Sequence, residues 1–120
     1  NLIQKKLRDK LLWLILTNIE GSKLNGDPAN RLVNNINIYF ENINGELLLI
    51  LLNQKGVYAS LGSACTTGSV DPSHVIMAIS NDKVRASSSL RLTLSKYTTE
   101  EEVLKTFEIL KDCIMQLRKR

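Results

Sequence analysis

Ser60-Leu61-Gly62-Ser63-Ala64-Cys65-Thr66-Thr67-Gly68-Ser69 sets a thiol among small, polar, glycine-spaced residues, with Leu61 at the edge as its single large apolar neighbour. A free cysteine ordinarily hides in the interior as a small hydrophobe. This one reads as part of a solvated loop, where a thiolate can meet a substrate and move away. The pKa of a free thiol is ~8.5, so a reactive sulfur needs help to deprotonate. Gly62 and Gly68 let backbone amides turn toward an anion, and Ser63, Thr66 and Thr67 add hydroxyl donors. On these residues alone, a reactive sulfur and a small residue in a turn are both open readings.

Outward from the loop, the elements alternate. Upstream, residues 1 to about 19 predict a helix with Ile3, Leu7, Leu11, Leu14 and Ile15 on one face, stopped by Gly21. Lys23 to Arg31 reads as a loop around Asn25-Gly26-Asp27-Pro28. Asn34 to Phe40 predicts a strand, since Ile36, Ile38 and Phe40 alternate with Asn35, Asn37 and Tyr39. Gly45 to Lys55 is leucine-rich and closed by Gly56, which predicts a helix. Val57-Tyr58-Ala59 predicts a short strand leading into the cysteine loop.

Downstream, Asp71 and Pro72 suit the N-cap and first position of a second short helix, through about Ile79. Ser88 to Leu94 returns to strand alternation, with Leu90, Leu92 and Leu94 on one side and Arg91 and Thr93 on the other. Thr98 or Thr99 can form a capping box with Glu101 or Glu102. Behind it, Val103, Phe107, Leu110, Ile114 and Leu117 form a helical stripe, with Cys113 beside it as a packed side chain. The order α-β-α-β-α-β-α predicts one domain over 1–120, an α/β (α+β two-layer) fold with a small sheet of three to four strands covered by helices.

Composition excludes several functions. Two cysteines and one histidine are too few for a structural zinc site. Nothing signals secretion, so reduced thiols in the cytoplasm are expected. The formal charge is +4, and six aromatic residues, none clustered with the arginines, argue against nucleic acid. The apolar runs Leu11 to Leu16 and Leu47 to Leu52 are six residues each, far below the ~20 needed to span a bilayer. The chain begins without Met, directly in a helical pattern, as an excised or processed piece of something longer would.

Two further residues invite chemistry. His74, nine residues after Cys65, could pair with it, although a helix histidine is more often structural. Arg91 faces away from Leu90 and Leu92, and a guanidinium is suited to bidentate carboxylate recognition; a surface arginine paired to a nearby acid is the alternative.

Ser60 to Ser69 with Asp71-Pro72-Ser73-His74-Val75 resembles the active-cysteine loop of the NifS/IscS-type cysteine desulfurases, in the class-V aminotransferase family. Leu24-Asn25-Gly26-Asp27, Asn37-Ile38-Tyr39-Phe40, Ser89-Leu90-Arg91-Leu92-Thr93-Leu94 and Tyr97-Thr98-Thr99-Glu100-Glu101 fit in order. Leu61 replaces a usual serine, Ser95-Lys96 a common Gly-Arg pair, and Ser87 a frequent histidine. The resemblance implies the C-terminal small domain of a fold-type I, pyridoxal-phosphate enzyme, with the large domain absent from this chain. It implies that Arg91 holds the carboxylate of L-cysteine and that Cys65 takes its sulfur as a persulfide, releasing alanine. It also implies a full-length homodimer that passes sulfur to an iron–sulfur scaffold protein. No Ser-x-His-Lys-type segment for the cofactor lysine occurs, so the isolated chain is expected to bind no cofactor and to be inactive alone; the family's dimer contacts lie largely in the large domain, so the chain is also expected to be monomeric or weakly associated. A stand-alone sulfur-carrier or interaction module without cofactor chemistry is the second reading.

Overall fold

A computed structural model describes residues 2–25, 35–61, 87–95 and 97–119. The described elements are helix α1 (Leu2–Asn18), strand β1 (Ser22–Leu24), strand β2 (Asn35–Phe40), helix α2 (Gly45–Gln54), strand β3 (Ser60–Leu61), strand β4 (Ser89–Thr93) and helix α3 (Glu100–Arg118). The short helix expected over Asp71 to Ile79 lies outside the described residues.

The strands form one antiparallel sheet in the order β1-β2-β4-β3. The period-two pattern fixes its two faces. Ile38 pairs with Leu90 and Ile36 with Leu92, so four branched side chains share one face. On that face Ile36, Ile38, Phe40, Leu90 and Leu92 are buried in one core with residues of all three helices. Helix α1 packs on β1 and β2, α2 on β3 and β4, and α3 against both helices. The expected helix-covered sheet is thus present, with four strands.

Local chemistry sets the element ends. Thr99 caps α3 through the Glu102 amide at 3.1 Å, while the Glu102 carboxylate accepts from the Thr99 amide at 2.9 Å. Of the two expected capping boxes the Thr99 one forms; the Thr98 hydroxyl instead accepts from the Ser95 amide at 2.9 Å. Asn44 caps α2, its side-chain oxygen accepting from the Glu46 and Leu47 amides. Gly56 ends α2 with φ of 86°. Cys113 is fully buried beside Leu110 and Ile114, as its stripe position implies.

Three expectations shift. The buried stripe of α1 is Arg8, Leu11, Leu12 and Ile15; Ile3, 68% exposed, lies more than a quarter turn off it at about 3.6 residues per turn. Ser22–Leu24, at the boundary of the expected loop, is an edge strand paired to Phe40, Tyr39 and Ile38. Val57 to Ala59 is not a strand: the Val57 amide still donates to Leu52 O of α2 at 2.9 Å, so pairing with β4 begins at Ser60.

Candidate functional site

The face of the sheet turned away from the helices carries the candidate site. Arg91 stands there because its strand neighbours Leu90 and Leu92 point into the core. Asn37 is its cross-strand partner on β2 and Ser60 its partner on β3, so both share its face. Ser89 lies two residues earlier on the same face and is fully buried.

The Nε of Arg91 is buried and has no hydrogen-bond partner. Leaving a buried donor unpaired costs about 1–3 kcal/mol. No carboxylate among the described residues forms an ion pair with Arg91; the ion pairs there are Arg8 with Asp9 and Lys10 with Glu100. The surface-arginine alternative, in which a nearby acid neutralises it, is therefore not what these residues form. A half-buried guanidinium with an orphaned N–H matches a planar anion such as a carboxylate.

A polar network borders this arginine. The Asn25 amide nitrogen donates to Asn37 Oδ1 at 3.1 Å and to Ser89 Oγ at 2.9 Å. The Asn25 backbone amide donates to Asn37 O at 2.9 Å. One buried side chain thus links β1, β2 and β4 beside Arg91. Asn25 reads as a turn residue in the sequence, and its role was not signalled there. The alternation of Asn35 and Asn37 with Ile36 and Ile38 did mark the polar face.

Two of the three sequence candidates, Cys65 and His74, lie outside the described residues. What the structure does place is the segment leading into the cysteine loop. Ser60 and Leu61 pair with Arg91 and Leu90, so the residues just before the cysteine loop run directly beside the arginine. Gly45 at the start of α2 packs under this corner. A Cβ there would sit 2.7 Å from Ser87 O and 3.4 Å from Leu61 Cδ2, so the helix approaches this closely because residue 45 lacks a side chain.

The other cysteine is unsuited to nucleophilic work. Burial pushes the Cys113 thiol up, Lys55 pulls it partly back, and Asp112 raises it further. No group of three or more metal-ligating side chains occurs among the described residues, and no helix among them is long and apolar enough to cross a membrane.

The described residues do not fit pyridoxal phosphate as a covalently held cofactor. Its aldehyde needs a sheltered amine, and every described lysine is exposed or half-buried, with Lys23, the one on the polar face of the sheet, exposed.

A family model described as Aminotransferase class-V matches residues 3–105. The chain is 47% identical over 114 residues to a cysteine desulfurase of Azotobacter chroococcum, covering 95% of this chain and 29% of that protein. It is 46% identical over 113 residues to cysteine desulfurase IscS of Methanosarcina thermophila, covering 94% and 28%. With cysteine desulfurase NifS of Azotobacter vinelandii it shares 47% over 112 residues, covering 93% and 28%. It thus spans under a third of the length of these relatives. Among solved structures, a NifS-like protein superposes with a TM-score of 0.77 at 28% identity, over 94% of this chain and 27% of that one. A NifS-like protein from Rickettsia africae gives 0.77 at 21% identity, over 93% and 28%, a likeness of fold.

Proposed function

Because the chain belongs to the aminotransferase class-V family, we propose that it is the small domain of a cysteine desulfurase, with Arg91 as the substrate-carboxylate site and Cys65 as the sulfur acceptor. The observation that carries this reading is the orphaned, buried Nε of Arg91 on the strand that pairs with Ser60 and Leu61. Three residues separate Leu61 from Cys65, and the four Cα-to-Cα steps between them span at most ~14 Å. The sulfur is therefore tethered within a short reach of the arginine.

The reaction balances without an external oxidant. L-Cysteine and the Cys65 thiol give L-alanine and a Cys65 persulfide: the substrate C–S bond and the Cys65 S–H bond break, an S–S bond forms, and a proton is taken up in a new C–H bond at the alanine methyl carbon. Arg91 orients the amino acid by its carboxylate, so that its side-chain sulfur faces the loop. Pyridoxal phosphate belongs to the large domain on this reading. The similarity to three cysteine desulfurases supports the desulfurase assignment. The same reading gives a cytoplasmic homodimer that hands its sulfur to an iron–sulfur scaffold protein.

The test is steady-state alanine formation by the intact holoenzyme that carries this chain. Arg91→Ala should raise KM for L-cysteine about 10- to 100-fold, as the loss of a charge-assisted pair implies. Unchanged KM contradicts the carboxylate role.

A further inference from the structure

Among the neighbours of Arg91 on its own face, which include Ser60 on β3, two have side-chain oxygens held by a third residue. Asn37 stands directly across from it on β2, and Ser89 lies two residues away on β4. Directly opposed Cβ atoms are about 4.5–5.5 Å apart, well within reach of a long arginine side chain. Arg91 Nε nevertheless has no partner. Both oxygens are engaged by one side chain: Asn25 Nδ2 donates to Asn37 Oδ1 at 3.1 Å and to Ser89 Oγ at 2.9 Å. An asparagine amide has two N–H donors, so each donor of Asn25 holds one of these acceptors.

We infer that Asn25 is a positioning residue for the carboxylate site, holding the oxygens of Asn37 and Ser89 away from Arg91 so that its N–H remains available to substrate. This rests on the reading of Arg91 as the carboxylate-binding group. An arginine satisfied by its own sheet must break that bond before it binds an anion, which weakens affinity. Asn25 reduces this competition by orienting two of the nearby acceptors toward its own amide; orientation and not occupancy does this, because each oxygen keeps a second lone pair. It is 7% exposed, and its backbone amide, donating to Asn37 O at 2.9 Å, fixes it in register with the residue it restrains.

The experiment uses the intact holoenzyme, with kcat and KM for L-cysteine and a thermal melt for each variant. Asn25→Ala removes the bond that turns Asn37 Oδ1 toward Asn25 and should raise KM about tenfold, with kcat within about twofold. Asn25→Ala/Asn37→Ala removes the freed competitor and should return KM to within about threefold of the parent. A general loosening of the sheet would make the double variant worse than the single one, so that rescue separates positioning from structure. Asn37→Ala alone should leave KM within about threefold, and it carries the test if Asn25→Ala does not fold. The inference is overturned by an unchanged KM in Asn25→Ala, by a double variant that stays as impaired as the single one, or by a tenfold rise in Asn37→Ala. If Arg91→Ala itself leaves KM unchanged, the carboxylate reading fails and this inference with it. If Arg91→Ala raises KM while Asn25→Ala does not, only this inference fails.

Discussion

At the scale of single residues, the two cysteines separate by environment. Cys113 is 0% exposed between Leu110 and Ile114, and burial raises its pKa. In the folded chain it should resist iodoacetamide at neutral pH and react once denaturant is added, as peptide mass mapping would show. Rapid labelling of Cys113 in the native protein would contradict its packed role. Gly45 makes the opposite kind of prediction. A methyl group there would meet Ser87 O at 2.7 Å, a backbone atom that cannot swing aside as a side-chain tip can. Gly45→Ala should destabilise the fold by about 1–3 kcal/mol, measured by urea denaturation. A change within about 0.5 kcal/mol would show that the corner gives way.

At the scale of elements, α3 is held at both ends. At its start, Lys10 of α1 donates to Glu100, and this bond together with the lysine's charge holds the Glu100 carboxyl below its ordinary pKa. A depressed carboxylate pKa gives a contribution that is full above the unfolded value, about 4.3, and is lost as pH falls through the folded value. Lys10→Ala should move the Glu100 titration back up toward that ordinary value in an NMR pH series. An unmoved titration would assign the depression to another cause. At the other end, Arg118 donates to Glu41 O through Nε at 3.2 Å and Nη2 at 2.7 Å, and to Glu20 O through Nη1. Gly21 lets it in: its φ is 78°, and a Cβ would stand 3.0 Å from Arg118 Nη2. Arg118→Ala leaves these carbonyls to water and should cost about 1–2 kcal/mol in thermal or urea unfolding.

Elements with a repeating pattern are legible in the sequence. Strand β4 alternates cleanly, α3 combines a capping box with a long stripe, and α2 joins leucine-rich sequence to a closing glycine. The misreadings fall where a pattern is too short or the partner is distant. Strand β1 has three residues and exists because β2 offers it backbone hydrogen bonds. Strand β3 has two, and its start is set by where the end of α2 releases the chain. Arg118 carries no local signal of its role, because its carbonyl partners lie 77 and 98 residues away.

At the scale of the whole molecule, the candidate site was half legible. Arg91 was marked by an apolar alternation that left it facing away from the core, but its unpaired Nε depends on Asn25, 66 positions earlier in the chain. Local sequence carries no trace of such a contact. On the proposed reading Arg91 supplies the carboxylate site and the cofactor lysine lies in the large domain. The isolated chain mixed with pyridoxal phosphate should therefore show no new visible absorbance band beyond that of the free cofactor. A protein-bound band would place cofactor binding within these 120 residues.

Peptide mass spectrometry of the intact holoenzyme after incubation with L-cysteine tests the sulfur-acceptor assignment most directly. The Cys65 peptide should gain one sulfur, about 32 Da, with alanine appearing alongside, and both should be lost in Cys65→Ala while the Cys113 peptide stays unmodified. Sulfur found on Cys113 instead, or persulfide formation that survives Cys65→Ala, would contradict it.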